Sequence, residues 1–234
     1  EDAGPGDVDA AADAARDPEP DAPAPLPEAE TCEIGAPSMD DWHLAADGRV
    51  LRDALGRAVL LRGVNAGGRS KFAPFLPFAW EPGDDLDAAA ADYFDRVQGW
   101  GFDAVRLVFT WEAIEPEPGV DDEEHVARYL ALIDAAWARG IRVIVDFHQD
   151  VYASIYCGDG FPLWTLPEEL LQDPPEDCSD WFAGYLQDPS VRAAFDRFWA
   201  DTDGVQTAYV ALWDRMVERT KDRPGVIGFE PINE

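Results

Sequence analysis

The sequence predicts an α/β fold, and within that class the N-terminal half of an eight-stranded (β/α)8 TIM barrel. Three observations carry that expectation. Short, continuously apolar runs around residues 59–65, 104–109, 141–147 and 226–232 alternate with stretches of helical spacing. Strands buried on both faces read in this way, and their alternation with helices argues a parallel sheet covered by helices. Each run also ends in polar or charged residues, and barrels of this kind collect their sites at the carboxyl ends of the strands. The alternative, a doubly wound open sheet, would want a glycine-rich phosphate turn after an early strand. Asn65-Ala66-Gly67-Gly68-Arg69 is not that motif.

Residues 1–40 are rich in Ala, Pro, Asp and Glu and carry a single basic residue, Arg16. That composition reads as a disordered acidic leader, and the folded domain is expected over 41–234. Gly48–Asp53 and Gly56–Leu61, with turns at Asp47-Gly48 and Leu55-Gly56, predict a small β-hairpin. Its second arm is expected to run on through Val59–Asn65 as the first buried strand. Leu86–Trp100 has helical spacing. Ala104–Phe109 is the second strand, and Glu123–Arg139 is a helix ended by Gly140. Ile141–Phe147 is the third strand. Residues 148–188 form a long insertion of aromatic residues and prolines, a length unusual for a loop without a function. Val191–Arg219 is helical with a break near Asp201–Gly204, and the fourth strand leads to Asn233-Glu234.

With 48 acidic against 18 basic residues the net charge is −30. Phosphate neutralisation needs clustered Lys and Arg, so nucleic acid is not an expected partner. The charge reads as a solvated surface. There is no apolar run of about 20 residues to cross a membrane. Of three cysteines, Cys157 and Cys178 flank one long loop that a disulfide would close, as suits an oxidising compartment. Cys32 has no obvious mate. The absence of a signal peptide before the acidic start fits a mature, secreted or cell-surface protein.

Four clusters at strand ends could carry chemistry: Asn65 to Lys71, Arg106 with Thr110-Trp111-Glu112, Asp146 to Asp150, and Asn233-Glu234. Leu61-Arg62-Gly63-Val64-Asn65, Val105-Arg106-Leu107, Asp146-Phe147-His148-Gln149-Asp150 and Asn233-Glu234, in that order and spacing, resemble glycoside hydrolase family 5. Within it the sequence is similar to bacterial endoglycoceramidases. Gly67 to Phe78 is similar to their galactosylceramide-series branch, and His148-Gln149-Asp150-Val151-Tyr152 and Ala194 to Trp199 to the group as a whole. The likeness runs from about Trp42 to the end.

The resemblance implies a retaining endo-β-glycosidase cutting between an oligosaccharide and its ceramide, using two carboxylates roughly 5 Å apart. Glu234 would be the acid/base, its proton held near neutrality by an apolar cleft. Asn233 would donate to the sugar 2-hydroxyl, and otherwise is a capping Asn. Arg106, a cation on a buried strand, needs a carboxylate partner. The resemblance makes that partner the nucleophile, which this chain does not carry at the usual downstream place; the plainer alternative is an ion pair with Glu234 or Asp146. Lys71, His148, Asp150 and Trp181 would bind sugar. No third ligand is spaced for zinc beside Asp146 and His148, so no metal and no cofactor are expected. Phe72, Phe75, Leu76, Phe78 and Trp80 either form an apolar patch suited to a lipid tail and to peripheral contact with lipid surfaces, or close the barrel base or cleft wall. Two rivals remain open: another family 5 β-glycosidase acting on a polysaccharide or a different glycolipid, and a non-catalytic glycan- or glycolipid-binding fragment. The expected partners are a glycoconjugate substrate and the C-terminal half of the barrel, without which the fragment is expected to be inactive.

Overall fold

The computed structural model describes residues 42–233. The expected leader, Cys32 and Glu234 lie outside the described residues. Two sheets form. Strands β1 (Ala45–Asp47), β2 (Val50–Arg52) and β3 (Ala58–Val59) make a small antiparallel sheet in that order. Strands β4 (Gly63–Ala66), β5 (Ala104–Phe109), β6 (Arg142–Phe147) and β7 (Val226–Glu230) make an all-parallel sheet in sequential order. A doubly wound sheet reverses its strand order at a switch point; this one does not, and it follows the first half of a barrel.

The expected two-armed hairpin is therefore a three-stranded sheet, and its last arm does not run on into β4. Leu60, Leu61 and Arg62 separate them, and the last of these, Arg62, is tied to the second sheet. Its N–H donates to Asp103 Oδ1 at 2.6 Å and its carbonyl accepts from Asp103 and Ala104, which hands the chain to the second sheet. Nor is β4 a buried strand: only Ala66 of its four residues is buried. It pairs with β5 alone among the described strands, so one side and one face stay open.

Helices cover the other face of the parallel sheet. Helix α1 (Leu86–Gly99) starts at an Asp85 cap that accepts from Ala88 N–H. After β5 comes one unexpected turn, α2 (Trp111–Ile114). Helix α3 (Glu123–Trp137) is capped by Asp122, which accepts from His125 N–H. Such caps are worth about 1 kcal/mol each. The long helical stretch after the insertion is preceded by a single turn, α4 (Gly184–Gln187), and divides into α5 (Pro189–Trp199) and α6 (Val205–Thr220). The break falls at Thr202–Gly204, where Asp201, Asp203 and Gly204 have positive φ.

Strand alternation then sorts the side chains. Val105, Leu107, Phe109, Val143, Val145 and Phe147 are buried in the core with Phe94, Tyr129, Ile133, Leu212 and Met216 from the helices. Each large apolar side chain so buried stabilises by about 1.5–3 kcal/mol. The opposite face carries Asn65, Arg106, Ile144 and Gly228 in one register row, and Val108, Asp146 and Glu230 in the next. Asn65 is exposed and Arg106, Ile144 and Gly228 half-buried. This is the face a closed barrel would turn inward.

The insertion is a packed element. Val151, Tyr152, Ala153, Ile155, Tyr156 and Phe161 are buried, and the Tyr152 and Phe161 rings stack at 4.1 Å. An Asp150–Asp159 backbone bridge forms its neck. A Cβ on Gly158 would stand 1.7 Å from the Asp150 carbonyl oxygen. Gly158→Ala is therefore expected to open that neck and lower Tm by several degrees, at a cost of about 2 kcal/mol or more; thermal unfolding checks it. Of the aromatic run after Lys71, Leu76 and Phe78 join the core, Phe75 and Trp80 are half-buried, and Phe72 is exposed. Most of it serves the wall; only Phe72 is left for an outside apolar contact.

Candidate active site

The carboxyl ends of β5, β6 and β7 bring charged groups together that lie far apart in sequence. Arg106 extends from β5 across β6. Its Nε donates to Glu230 Oε2 at 2.5 Å, and its Nη2 donates to Glu230 Oε1 at 2.8 Å, Asp146 Oδ1 at 3.1 Å and Asn233 Oδ1 at 2.8 Å. Two-pronged pairing of this kind uses the fixed fork of the guanidinium and aims it. Asp146, one of the two expected partners, is confirmed as such. Glu230 was not foreseen.

Asn233 is held from both sides. Its N–H donates to the Phe147 carbonyl at 3.0 Å and its Nδ2 donates to the Gln149 carbonyl at 3.0 Å. Gln149 Nε2 returns a bond to the Asn233 carbonyl at 2.8 Å. Asn233 is thus neither a helix cap nor a free surface amide: backbone and side chain are both fixed on the end of β6. Glu234 follows it in sequence and lies outside the described residues.

Beside this network is a second cluster. Lys71, carried on the turn after β4, contacts Asp150 Oδ2. His148 Nδ1 lies 3.2 Å from Asp146 Oδ2 and its Nε2 3.6 Å from Asp150 Oδ2. The Lys71 ammonium is 5.9 Å from the centre of the Trp181 ring, within cation–π range. Lys71, Phe72, Asp150, Cys157, Asp159 and Trp181 line one pocket of about 160 Å³. Of the four expected sugar-binding residues, Lys71, Asp150 and Trp181 line this pocket, and His148 lies buried against Asp150 outside its lining.

The electrostatics of this pocket follow from burial and pairing. Burial opposes charge on His148, but Asp146 and Asp150 outweigh it and push the imidazole up to about 9. Burial would raise Asp150, yet His148 and Lys71 bring it below the usual carboxylate range. Burial raises Asp146, with His148 and Arg106 opposing. Asp159 is pushed up to about 7 by burial and then by the Asp150 charge, and its Oδ1 has no partner among the described residues. An imidazolium that persists to about pH 9 when folded, against about 6.5 unfolded, stabilises the fold. That contribution is full below about pH 6.5 and is lost as pH rises toward 9. Histidine ring NMR across pH 5–10 should show one resonance titrating far above the usual value, and His148→Asn should remove it.

His148, Asp150 and Asp159 each offer a ligand atom within 4.8 Å of the others. This trio leaves out Asp146, the carboxylate weighed beside His148 from the sequence, and takes Asp150 and Asp159 from the neck of the insertion. The donor set fits a metal poorly, since Lys71 already contacts Asp150 there and His148 is itself a cation at neutral pH. The cluster suits hydroxyl groups, which take donors and acceptors alike. Glu112 is a further, half-buried carboxylate, raised by burial, whose Oε1 accepts the Gly160 N–H at 3.1 Å and so ties α2 to the insertion.

The Cys157–Cys178 disulfide anticipated from the loop is formed, with Cα atoms 5.4 Å apart. Among the described residues no helix is long and apolar enough to cross a membrane.

Comparison with known proteins agrees with this architecture. The chain is 35% identical over 198 residues to endoglycoceramidase I of Rhodococcus hoagii, which covers 85% of this chain and 38% of that protein. Its structure is similar to that of endo-glycoceramidase II from Rhodococcus sp. in complex with ganglioside GM3, with a TM-score of 0.65 at 29% identity over 79% of this chain and 42% of the other. An endogalactoceramidase crystal structure gives a TM-score of 0.63 at 29% identity, covering 82% of this chain and 44% of that one. The chain thus spans about two fifths of the length of these relatives. Residues 53–234 match the family described as Cellulase (glycosyl hydrolase family 5). The parallel sheet in sequential order, the polar strand ends and this match over most of the chain place it: the chain belongs to glycosyl hydrolase family 5.

Proposed function

We propose that the protein containing this chain is a retaining endo-β-glycosidase that hydrolyses the bond between oligosaccharide and ceramide in glycosphingolipids. The observation that carries the reading is the adjacency of two assemblies at one end of the sheet: the Arg106–Glu230–Asp146–Asn233 network and the Lys71–Asp150–His148–Trp181 pocket. In this reading the pocket grips sugar hydroxyls. Asn233, with its Oδ1 fixed by Arg106 and one Nδ2 proton on Gln149, turns its second amide proton to the 2-hydroxyl, a bond that strengthens in the transition state. Glu234 protonates the leaving ceramide oxygen, then draws a proton from the water that releases the sugar. The nucleophile comes from the remaining half of the barrel, and Arg106 orients it. The disulfide suits export into an oxidising compartment. Relatives named for ceramide-linked substrates support this substrate class over a polysaccharide.

The test is the full-length protein on lactosylceramide carrying a fluorescent acyl chain. Release of intact lactose and free ceramide is expected. Stepwise loss of single sugars, or cleavage of cello-oligosaccharides with no action on the lipid, would give the site to another β-glycosidase. Residues 1–234 alone should show no turnover, because the inward face of their sheet is open and the second carboxylate is missing. Activity restored on adding the separately expressed remainder is the matching expectation; turnover by 1–234 alone would point to Glu112 or Asp150 as nucleophile.

A further inference from the structure

We infer that the Cys157–Cys178 disulfide is a positioning element of the sugar pocket, holding Trp181 over Lys71 so that its ring forms one wall. The inference rests on the pocket being a sugar site, as proposed above.

Two ends of the bond lie in different settings. Cys157 closes the short turn Ser154–Tyr156 in the packed part of the insertion, lines the pocket itself, and stands two residues before Asp159 at the neck. Cys178 sits in a stretch, residues 171–182, that is exposed throughout. The hydrogen bond that joins this stretch to the packed part is long: Gln172 Nε2 donates to the Ile155 carbonyl at 3.5 Å. An exposed segment with few firm contacts opens locally at little cost. The disulfide is the strong tie from it to the pocket floor.

Trp181 follows Cys178 by one turn, its N–H donating to the Cys178 carbonyl at 3.3 Å. The ring neighbours of Trp181 are Phe182 at 5.9 Å, exposed on the same stretch, and Tyr185 at 6.4 Å, which itself stacks on Phe195 at 6.3 Å and gives Trp181 only an edge contact with the core. Across the pocket its partner is Lys71, a flexible side chain. Without the bond, the ring has little to keep it over the ammonium. With it, Trp181 and the Asp150–Asp159 neck become two walls at fixed spacing. A sugar bound between them would lose an aromatic face, and little else, when the bond is cut. The prediction that follows is a change in substrate grip with the chemical step left alone.

The experiment uses the full-length protein in three forms: oxidised wild type, wild type reduced and alkylated, and Cys157→Ser/Cys178→Ser. Fluorescent lactosylceramide reports KM and kcat, and lactose itself, by quenching of tryptophan fluorescence, reports sugar binding. Loss of the bond is expected to raise KM about tenfold, as suits an aromatic contact, with kcat within about twofold and lactose affinity down in proportion. Trp181→Ala should show the same loss, and cutting the disulfide in that background should add nothing, because the bond acts through the ring. An unchanged KM with only a lowered Tm overturns the inference, as does an equal further rise in the Trp181→Ala background. Unfolding of both disulfide-free forms overturns it too, since a local clamp leaves the core standing. If the oxidised wild type hydrolyses no glycosphingolipid but its lactose binding weakens on reduction, the functional reading falls and the clamp stands. If hydrolysis proceeds with KM insensitive to reduction, the clamp falls alone.

Discussion

Glu234→Gln in the full-length protein is expected to slow hydrolysis of a natural glycosphingolipid by about 10²–10⁴-fold, with KM little changed. Its neighbour Asn233 is fixed at the carboxyl end of the sheet by the Phe147 carbonyl, the Gln149 carbonyl and Arg106. A ceramide alkoxide is a poor leaving group and needs a proton as the bond breaks. Gln keeps the shape and removes the proton. A substrate with an activated aryl leaving group needs that proton far less and should be spared in the glycosylation step. Steady-state rates on the two substrates make the comparison. Equal losses on both, or a loss under about tenfold on the lipid, would move the acid/base role elsewhere.

Arg106→Met should carry the largest stability cost of any single change at the site, about 3–5 kcal/mol. Asp146 is fully buried and Arg106 largely so. Removing the guanidinium leaves Asp146 with one fewer positive neighbour and strands Glu230, which it grips with two bonds. The sign of the pH dependence follows. Burial already holds Asp146 above the usual carboxylate range, and Arg106 is among the groups opposing that rise. Without Arg106 it rises further, so the folded variant prefers the protonated acid. The deficit should be largest at neutral pH and narrow as pH falls and Asp146 takes up a proton. Urea denaturation of wild type and variant at pH 5 and pH 7.5 measures it. A deficit that does not shrink at the lower pH would show that Asp146 is not the group left uncompensated.

What the sequence made legible follows from what each feature depends on. The strands β5 and β6 were readable because their burial on both faces demands unbroken apolar runs, α1 because its apolar residues recur at helical spacing, and α3 because Gly140 ends it. Lys71, His148, Asp150 and Trp181 were legible through a family likeness, and the structure shows why those positions go together: Lys71, Asp150 and Trp181 line one pocket and His148 lies against Asp150. Glu230 escaped because it ends an apolar strand and was read with it. Its signal was register, since it pairs opposite Asp146, and register is not written in one strand. Asp159 escaped because only the Asp150–Asp159 bridge brings it back to the site. β4 was read as buried because its composition is apolar, but burial depends on neighbours, and β4 has one.

The order of the parallel sheet bears on how such a chain is made. Each of β5, β6 and β7 pairs with the strand synthesised just before it, so the sheet can grow by one edge as the polypeptide leaves the ribosome, at about 5–20 residues per second. While only these four strands exist, helices cover one face and the other stays open. On that waiting face stand Asn65, Arg106, Asp146 and Glu230. Charges of both signs on an unfinished surface discourage a second nascent chain from adding to it. A face that carries paired charges in place of an apolar stripe is a poor template for such an addition.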